Sequence, residues 1–296
     1  MQIGGTTPLW IAARVLLYDR VDDFFRRRDM VLKTFDAEDI HDLRVASRRL
    51  REGLTLFAPC YPAAEIIRLA RKTRQVTRLL GKIRNADEAL LFFASLADEL
   101  DGSCRSNLEE LVRTFRKNRG KGIKGLRSGL RESAPATVRD LFLRTINSPS
   151  LFTAPADSVD LFAPLSVFAR EALGARLADV VKLEPAARHA GATEAQHLLR
   201  IAVKHYRYRM EILARLIGTC FEELHASLKN YQDVLGKMHD LDVFAGIVRE
   251  EGFPPDAEKP VLDAIATKRE DLFAGLTRLL ETAPFEAIGE RVRNAL

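Results

Sequence analysis

His41-Asp42-Leu43-Arg44-Val45-Ala46-Ser47-Arg48-Arg49-Leu50-Arg51 decides how the rest of the chain is read. At about 100° per residue of α-helix, His41, Arg44, Arg48 and Arg51 share an arc of roughly 80°. Leu43, Ala46, Leu50, Leu54 and Phe57 share a similar arc on the opposite side. The spacing predicts a helix with an apolar back to bury and a basic front. His197-Leu198-Leu199-Arg200-Ile201-Ala202-Val203-Lys204-His205-Tyr206-Arg207 repeats it 156 positions later. There His197, Arg200, Lys204 and Arg207 make the front, and Leu199, Ala202, Tyr206, Met210 and Leu213 the back. Two helical bundles need an apolar stripe twice. They have no structural need of the same basic row twice, so its return points to function.

A second segment repeats in the same order. Thr73 to Asp87 and Leu228 to Asp242 align at an offset of 155, with Leu80-Gly81-Lys82 on Leu235-Gly236-Lys237 and Asp87 on Asp242. Two segments at nearly one offset indicate an internal duplication. No stretch alternates apolar and polar residues as a strand does. The fold class is therefore all-α: two consecutive four-helix-bundle-like halves related by a pseudo-two-fold axis. The halves are expected at 8–146 and 165–296 within one domain, 1–296. Pro149, Pro155 and Pro164 mark 147–164 as a linker.

Helices are expected from Pro8 to about Met30, then from a cap at Asp36 or Asp39 to near Pro59. The Arg26-Arg27-Arg28 triplet suits the negative end of the first helix's dipole. A third helix runs from Pro62 to Leu80 with Arg71, Arg74, Arg78 and Lys82 on one arc. Gly81 reads as its end or kink, and Asn85-Ala86-Asp87-Glu88 as a capping box opening a further helix through Leu100. Residues 105–131 read as helical. Positions 113–131 carry eight cations, Lys117 and Lys121 among them, and no acid; Gly120, Gly122 and Gly125 leave a mobile segment and a rigid helix as equal alternatives. In the second half helices are expected from Pro164 to Leu183, with breaks at Pro185 and Gly191, then on to Leu216, through Leu228–Asp242, from Pro260 to Leu280, and briefly after Pro284.

Hydrophobic residues at 47% and charged residues at 29% suit a soluble globular protein. Cys60, Cys104 and Cys220 are scattered, odd in number and free of C-x-x-C spacing, which argues against a disulfide framework or zinc site and fits a reducing cytoplasm. The apolar run Pro8–Ala13 is interrupted by Arg14, too early for a signal peptide, and no stretch is long enough to span a membrane. Charge is uneven. Residues 1–148 hold 28 Lys/Arg against 19 Asp/Glu, and residues 149–296 hold 18 against 22. A first half at +9 attracts polyanions.

The pattern H-x-x-R-x-x-x-[RK]-x-x-R followed by L-G-x-x-x-D/N-x-D, present twice in an all-helical chain, resembles the CHAD family (conserved histidine α-helical domain). The resemblance covers roughly residues 8–295. It implies paired four-helix bundles around a basic channel that binds inorganic polyphosphate. By that resemblance His41, Arg44, Arg48, Arg49, Arg51, Arg84, His197, Arg200, Lys204 and Arg207 belong to the binding set; the basic rows and segments read from the sequence add Arg74, Arg78, Lys82, Lys117, Lys121, Lys229, Lys237 and His239. His205 stands where Arg49 stands in the first copy, a charge lost at neutral pH, so unequal halves are expected. Asn85 departs from the aspartate usual at its place, whereas Asp240 and Asp242 are kept and His239 replaces an arginine.

The residue types suit that ligand. Polyphosphate carries about one negative charge per unit and has no bases or sugars to read. Arginine offers a planar fork to phosphate oxygens and lysine a point charge. Donors one helical turn apart recur every ~5.4 Å. Two rows facing each other across the pseudo-dyad would line a groove. Each leading histidine has two readings, contact with phosphate or orientation of a neighbour. Neither has a histidine or carboxylate at i+4, so no metal is expected. Asp87, Asp240 and Asp242 read as ion-pairing or capping groups rather than as a catalytic set. The chain has no P-loop and none of the Glu-x-Glu-x-Lys tract of the CYTH hydrolases often fused to CHAD domains. No cofactor and no enzymatic activity are expected. Other polyanions, inositol polyphosphates among them, are further candidate ligands. A nucleic-acid backbone is the alternative partner, weakened by the lack of aromatic residues among the basic rows. A polyphosphate or nucleotide phosphohydrolase is the weakest reading. Localisation is expected in the cytoplasm, with association to polyphosphate granules.

Overall fold

The computed structural model describes residues 3–133, 136–151 and 159–296. The chain is all-α: α1 Leu9–Thr34, α2 Ala37–Leu56, α3 Ala63–Glu99, α4 Gly102–Ser133, α5 Ala136–Ile146, α6 Leu165–Ala187, α7 Thr193–Ile212, the single turn α8 Ala214–Ile217, α9 Phe221–Glu251, α10 Pro255–Thr282 and α11 Phe285–Ala295. Among the described residues there is no strand, only an isolated bridge between Pro8 and Pro164. These prolines stand 156 positions apart, as do His41 and His197. None of the described helices is long and apolar enough to cross a membrane.

The contacts divide the chain into two compact units: residues 1–92 with 112–168, and residues 93–111 with 169–296. Of the expected linker 147–164, residues 152–158 lie outside the described residues. In the first unit, α1 buries Leu9, Ala12, Ala13, Leu16, Leu17, Val21, Phe24 and Phe25 along one stripe. Phe25 meets Phe142 of α5 edge-on, with ring centroids 5.8 Å apart. The chain turns at Phe35, whose backbone is left-handed (φ 54°), and Asp36 then caps α2 by accepting from the Asp39 amide at 2.8 Å. The Arg26-Arg27-Arg28 triplet serves the structure through carboxylates: Arg26 and Arg27 pair with Asp23, Arg27 also with Asp42, and Arg28 with Asp29.

Two expectations fail here for one reason. Gly81 does not end a helix and Asn85 does not open one: α3 runs unbroken from Ala63 to Glu99. α4 is likewise one helix despite its glycines. A mid-helix glycine costs only about 1 kcal/mol relative to alanine, which close packing readily offsets. A Cβ at Gly122 would lie 2.6 Å from Ile83 Cδ1, and one at Gly129 2.5 Å from Leu79 Cδ1. These glycines let α3 and α4 approach closely, and 113–131 is helical throughout. Prolines mislead in the same way. Pro185 sits within the last turn of α6 and Pro260 within the early turns of α10, which begins at Pro255.

In the second unit, α9 packs between α7 and α10. Tyr231 is fully buried, donates to the carbonyls of Leu279 at 2.7 Å and Ala283 at 3.0 Å, and lies against Phe285. Phe93 packs on Phe244, and Glu99 pairs with Lys268 at 2.8 Å. Gly252, at φ 68°, closes α9 in the left-handed conformation that glycine adopts without strain.

Candidate functional site

α2 buries the arc that its spacing defines: Leu43, Ala46, Leu50 and Leu54, with Ile40 and Ser47 beside them. Its basic row lies along α3, and four approaches define the register. Arg51 senses the charges of Arg74 and Arg78. Thr77 Oγ1 donates to Ser47 Oγ at 3.0 Å, and Ser47 Oγ donates to the Arg44 carbonyl at 2.8 Å. A Cβ built on Gly81 would meet Arg44 Nη1 at 2.8 Å. His41 senses Arg84. As the α2 number falls, the α3 number rises in step, which is the mark of antiparallel helices. The His41–Arg51 row therefore runs beside the Arg74–Arg84 row within the first unit.

At one end of this face Arg48, Arg51, Arg74 and Arg78 converge. Burial, then the charges of Arg74 and Arg48, push the Arg51 pKa below its ordinary value against the pull of Glu52, with Arg78 adding least. None of the four makes an ion pair among the described residues. Arg74, Arg78 and Lys82 are exposed; Arg44, Arg48, Arg49 and Arg51 are half-buried. At the other end Arg84 pairs with Glu88. His41 opens to solvent on one edge, yet lost hydration and then Arg84 lower its pKa. Lys117 and Lys121 are exposed on α4, and Arg127 of that helix lies 4.5 Å over the Phe35 ring.

The matching positions of the second unit are built differently. Arg207, the counterpart of Arg51, is 7% exposed and closed into a network. It pairs with Glu211, donates to Gln232 Oε1 at 2.9 Å, and lies 2.9 Å from His225 Nε2, which also contacts Glu211 Oε1 at 2.8 Å. Lys229, the counterpart of Arg74, pairs with Asp233, the counterpart of Arg78, at 3.3 Å. What is a cluster of like charges in the first unit is a neutralised strut in the second. At the far end His197 and His239 face each other, Nδ1 to Nδ1 at 3.1 Å. Burial, then Arg200, lowers the pKa of both; for His239, where His197 adds to the effect, it falls to about 4. Arg200, Lys204 and His205 are half-buried and Lys237 is exposed.

The repeated aspartates brace the helices. Asp87 pairs with Arg119 of α4, and Asp242 with Arg269 of α10 at 2.5 Å. Arg269 also donates to Gln196 Oε1 at 2.6 Å and to the Ala190 carbonyl at 3.1 Å, tying α10, α9, α7 and the turn before α7 together. Arg269, Glu211 and His225 were not singled out from sequence, and Arg119 was read only as one of the cations of 113–131: the pairs Arg119–Asp87, Arg269–Asp242 and His225–Glu211 join different helices across 14 to 32 positions. Among the described residues no three His, Cys, Asp or Glu side chains cluster as a metal site would.

Comparison with known proteins supplies the remaining evidence. The family model described as the CHAD domain matches residues 16–249. The crystal structure of the CHAD domain from the plant Ricinus communis superposes with a TM-score of 0.62 at 24% identity, over 100% of this chain and 95% of that one. PptA from Streptomyces chartreusis superposes with a TM-score of 0.64 at 15% identity, over 94% of this chain and 99% of that one. At these identities the likeness concerns the fold. No curated protein matches the chain.

Proposed function

The chain belongs to the CHAD domain family, and on that premise we propose that it binds inorganic polyphosphate without acting on it chemically. The observation that carries the reading is the convergence of Arg48, Arg51, Arg74 and Arg78 with no ion-paired carboxylate among the described residues. Like charges at short range oppose folding, and a chain with 41 acidic residues has the means to neutralise them. The second unit does so at the same places. A cluster left unneutralised is suited to a partner that brings the negative charge. A flexible chain of phosphates meets that need at each turn of the two antiparallel rows, and arginine forks bind its oxygens in pairs. Lys82, Lys117 and Lys121 add cations within the first unit, and Arg200, Lys204 and Lys237 offer others within the second.

The acids close to these rows have structural tasks, bracing Arg84, Arg119 and Arg269. This supports binding over phosphoryl transfer, which uses acidic groups to hold Mg²⁺. The place of action would be the cytoplasm, at polyphosphate granules.

Titration calorimetry with long-chain polyphosphate, on wild type and on Arg51→Ala/Arg74→Ala, tests the reading. Salt-sensitive binding that the folded variant loses is expected. Preferential displacement by tRNA or duplex DNA would move the reading to nucleic acid, and release of phosphate with Mg²⁺ would overturn the non-catalytic part.

A further inference from the structure

Gly81 lies in the middle of α3, at an ordinary helical position, where any residue other than proline would make a better helix. Its neighbour explains why none is there. A Cβ at this position would stand 2.8 Å from Nη1 of Arg44, closer than real Cβ atoms come to a neighbour. The guanidinium lies against the bare backbone of α3, between the Arg51 end of the basic face and the His41 end. Gly236, at the same place in the second copy of the Leu-Gly-Lys segment, has nothing within 4 Å of its Cβ position. The two glycines match in sequence and differ in surroundings.

We propose that Gly81 is a positioning residue for anion binding: its missing side chain seats the Arg44 guanidinium on α3, in line with the arginines on either side. The proposal rests on the polyphosphate reading above. Packing does not require this glycine, because the obstructing atom is the far end of a flexible side chain that can swing away. In the α3–α4 seam, by contrast, Gly122 faces the buried Ile83, and a Cβ at Gly129 would have three side-chain carbons of Leu79 within 3.4 Å. Gly81→Ala therefore leaves the fold intact and moves Arg44 out of the row.

The experiment compares Gly81→Ala, Gly236→Ala, Arg44→Ala and the double variant Gly81→Ala/Arg44→Ala. Both glycine variants should melt no lower than wild type. Gly81→Ala should bind long-chain polyphosphate about tenfold more weakly, the scale of one hydrogen bond to a charged group, and Gly236→Ala should bind as wild type does. The double variant should be no weaker than Arg44→Ala, since the glycine acts through that arginine. The Arg44 Nε–H resonance, assigned by its loss in Arg44→Ala, reads placement with no ligand present and should shift in Gly81→Ala alone. A resonance that stays put, or equal losses in both glycine variants, overturns the proposal. A shifted resonance in a protein that binds no polyphosphate upholds the seating of Arg44 and sinks the choice of ligand.

Discussion

Ser47 Oγ accepts a hydrogen bond from Thr77 Oγ1 at 3.0 Å in a seam where both side chains are buried. That contact sets α2 against α3 in the register that aligns their basic rows. Small side chains are needed there, because the two helices meet across hydroxyls. Ser47→Leu should wedge the seam and cost about 1–3 kcal/mol as an overpacked core does. Urea denaturation would read this as a lower midpoint with an unchanged slope. An unchanged midpoint would mean that the register is set elsewhere.

Arg51 and Arg207 hold the same place in the two H-x-x-R-x-x-x-[RK]-x-x-R segments and should respond in opposite ways to removal. Arg51 is half-buried among Arg48, Arg74 and Arg78, so Arg51→Ala relieves like-charge repulsion. It should leave the melting temperature level or higher while weakening polyphosphate binding. Arg207 is buried against Glu211. Arg207→Ala strands that carboxylate and should cost about 3 kcal/mol of stability, with affinity retained by the protein that stays folded. Thermal melts paired with calorimetry distinguish the two. Equal loss of stability in both variants would remove the assignment of separate roles.

Salt dependence counts the contacts. If phosphates replace released counterions at the arginine cluster, log K should fall linearly with log salt concentration. Each arginine removed from the cluster should lower the slope by about 1. Titrations of wild type and Arg78→Ala at four salt concentrations check this. Parallel lines would place Arg78 outside the contact surface.

The helical class and the buried arc of α2 were legible because both depend on local periodicity, visible in one window of sequence. The first-copy row was legible for the same reason. Helix ends were less so. Gly81 and Asn85 carry the local signs of a break, yet α3 runs through both, because tertiary packing outweighs about 1 kcal/mol of glycine propensity; Pro185 lies in the last turn of α6, and Pro260 lies inside α10 rather than at its start. The fate of Arg207 was hidden for a different reason. Its spacing equals that of Arg51, and only the arrival of His225 and Gln232 from α9, beside Glu211 one turn along, converts it into a strut.

The α4 glycines permit a third kind of outcome. Gly122→Ala and Gly129→Ala gain helix propensity but push a methyl into Ile83 and Leu79 across the α3–α4 seam. Overpacking should win, for a net cost of about 1–2 kcal/mol each. Gly125→Ala, with nothing within 4 Å of its Cβ position, should instead stabilise by about 0.5–1 kcal/mol. Chemical denaturation of the three variants gives the signs directly. A stabilising Gly122→Ala would mean that the seam has slack.

Acidity should act on the second unit through its paired histidines. With Nδ1 atoms 3.1 Å apart, one ring donates and the other accepts, and two imidazoliums would set N–H against N–H. Glu194 and Asp242 pull their pKa values up, but burial and the charge of Arg200 prevail on both, with Lys204 adding to the effect on His197. For His239 the folded value is about 4, below the ~6.5 of an unfolded chain. The unfolded state therefore binds the proton first. Stability from this site is full above pH 6.5 and is lost as pH falls toward 4. A polyanion beside the pair raises the imidazole pKa values, so binding takes up protons and should tighten between pH 7.5 and about 5.5. Melting curves at pH 7.5, 6 and 5, with and without polyphosphate, read both effects. His239→Gln should flatten the acid-side loss of the free protein and reduce the pH dependence of binding; if polyphosphate affinity is flat across that range in wild type, the histidine pair lies outside the path of the ligand.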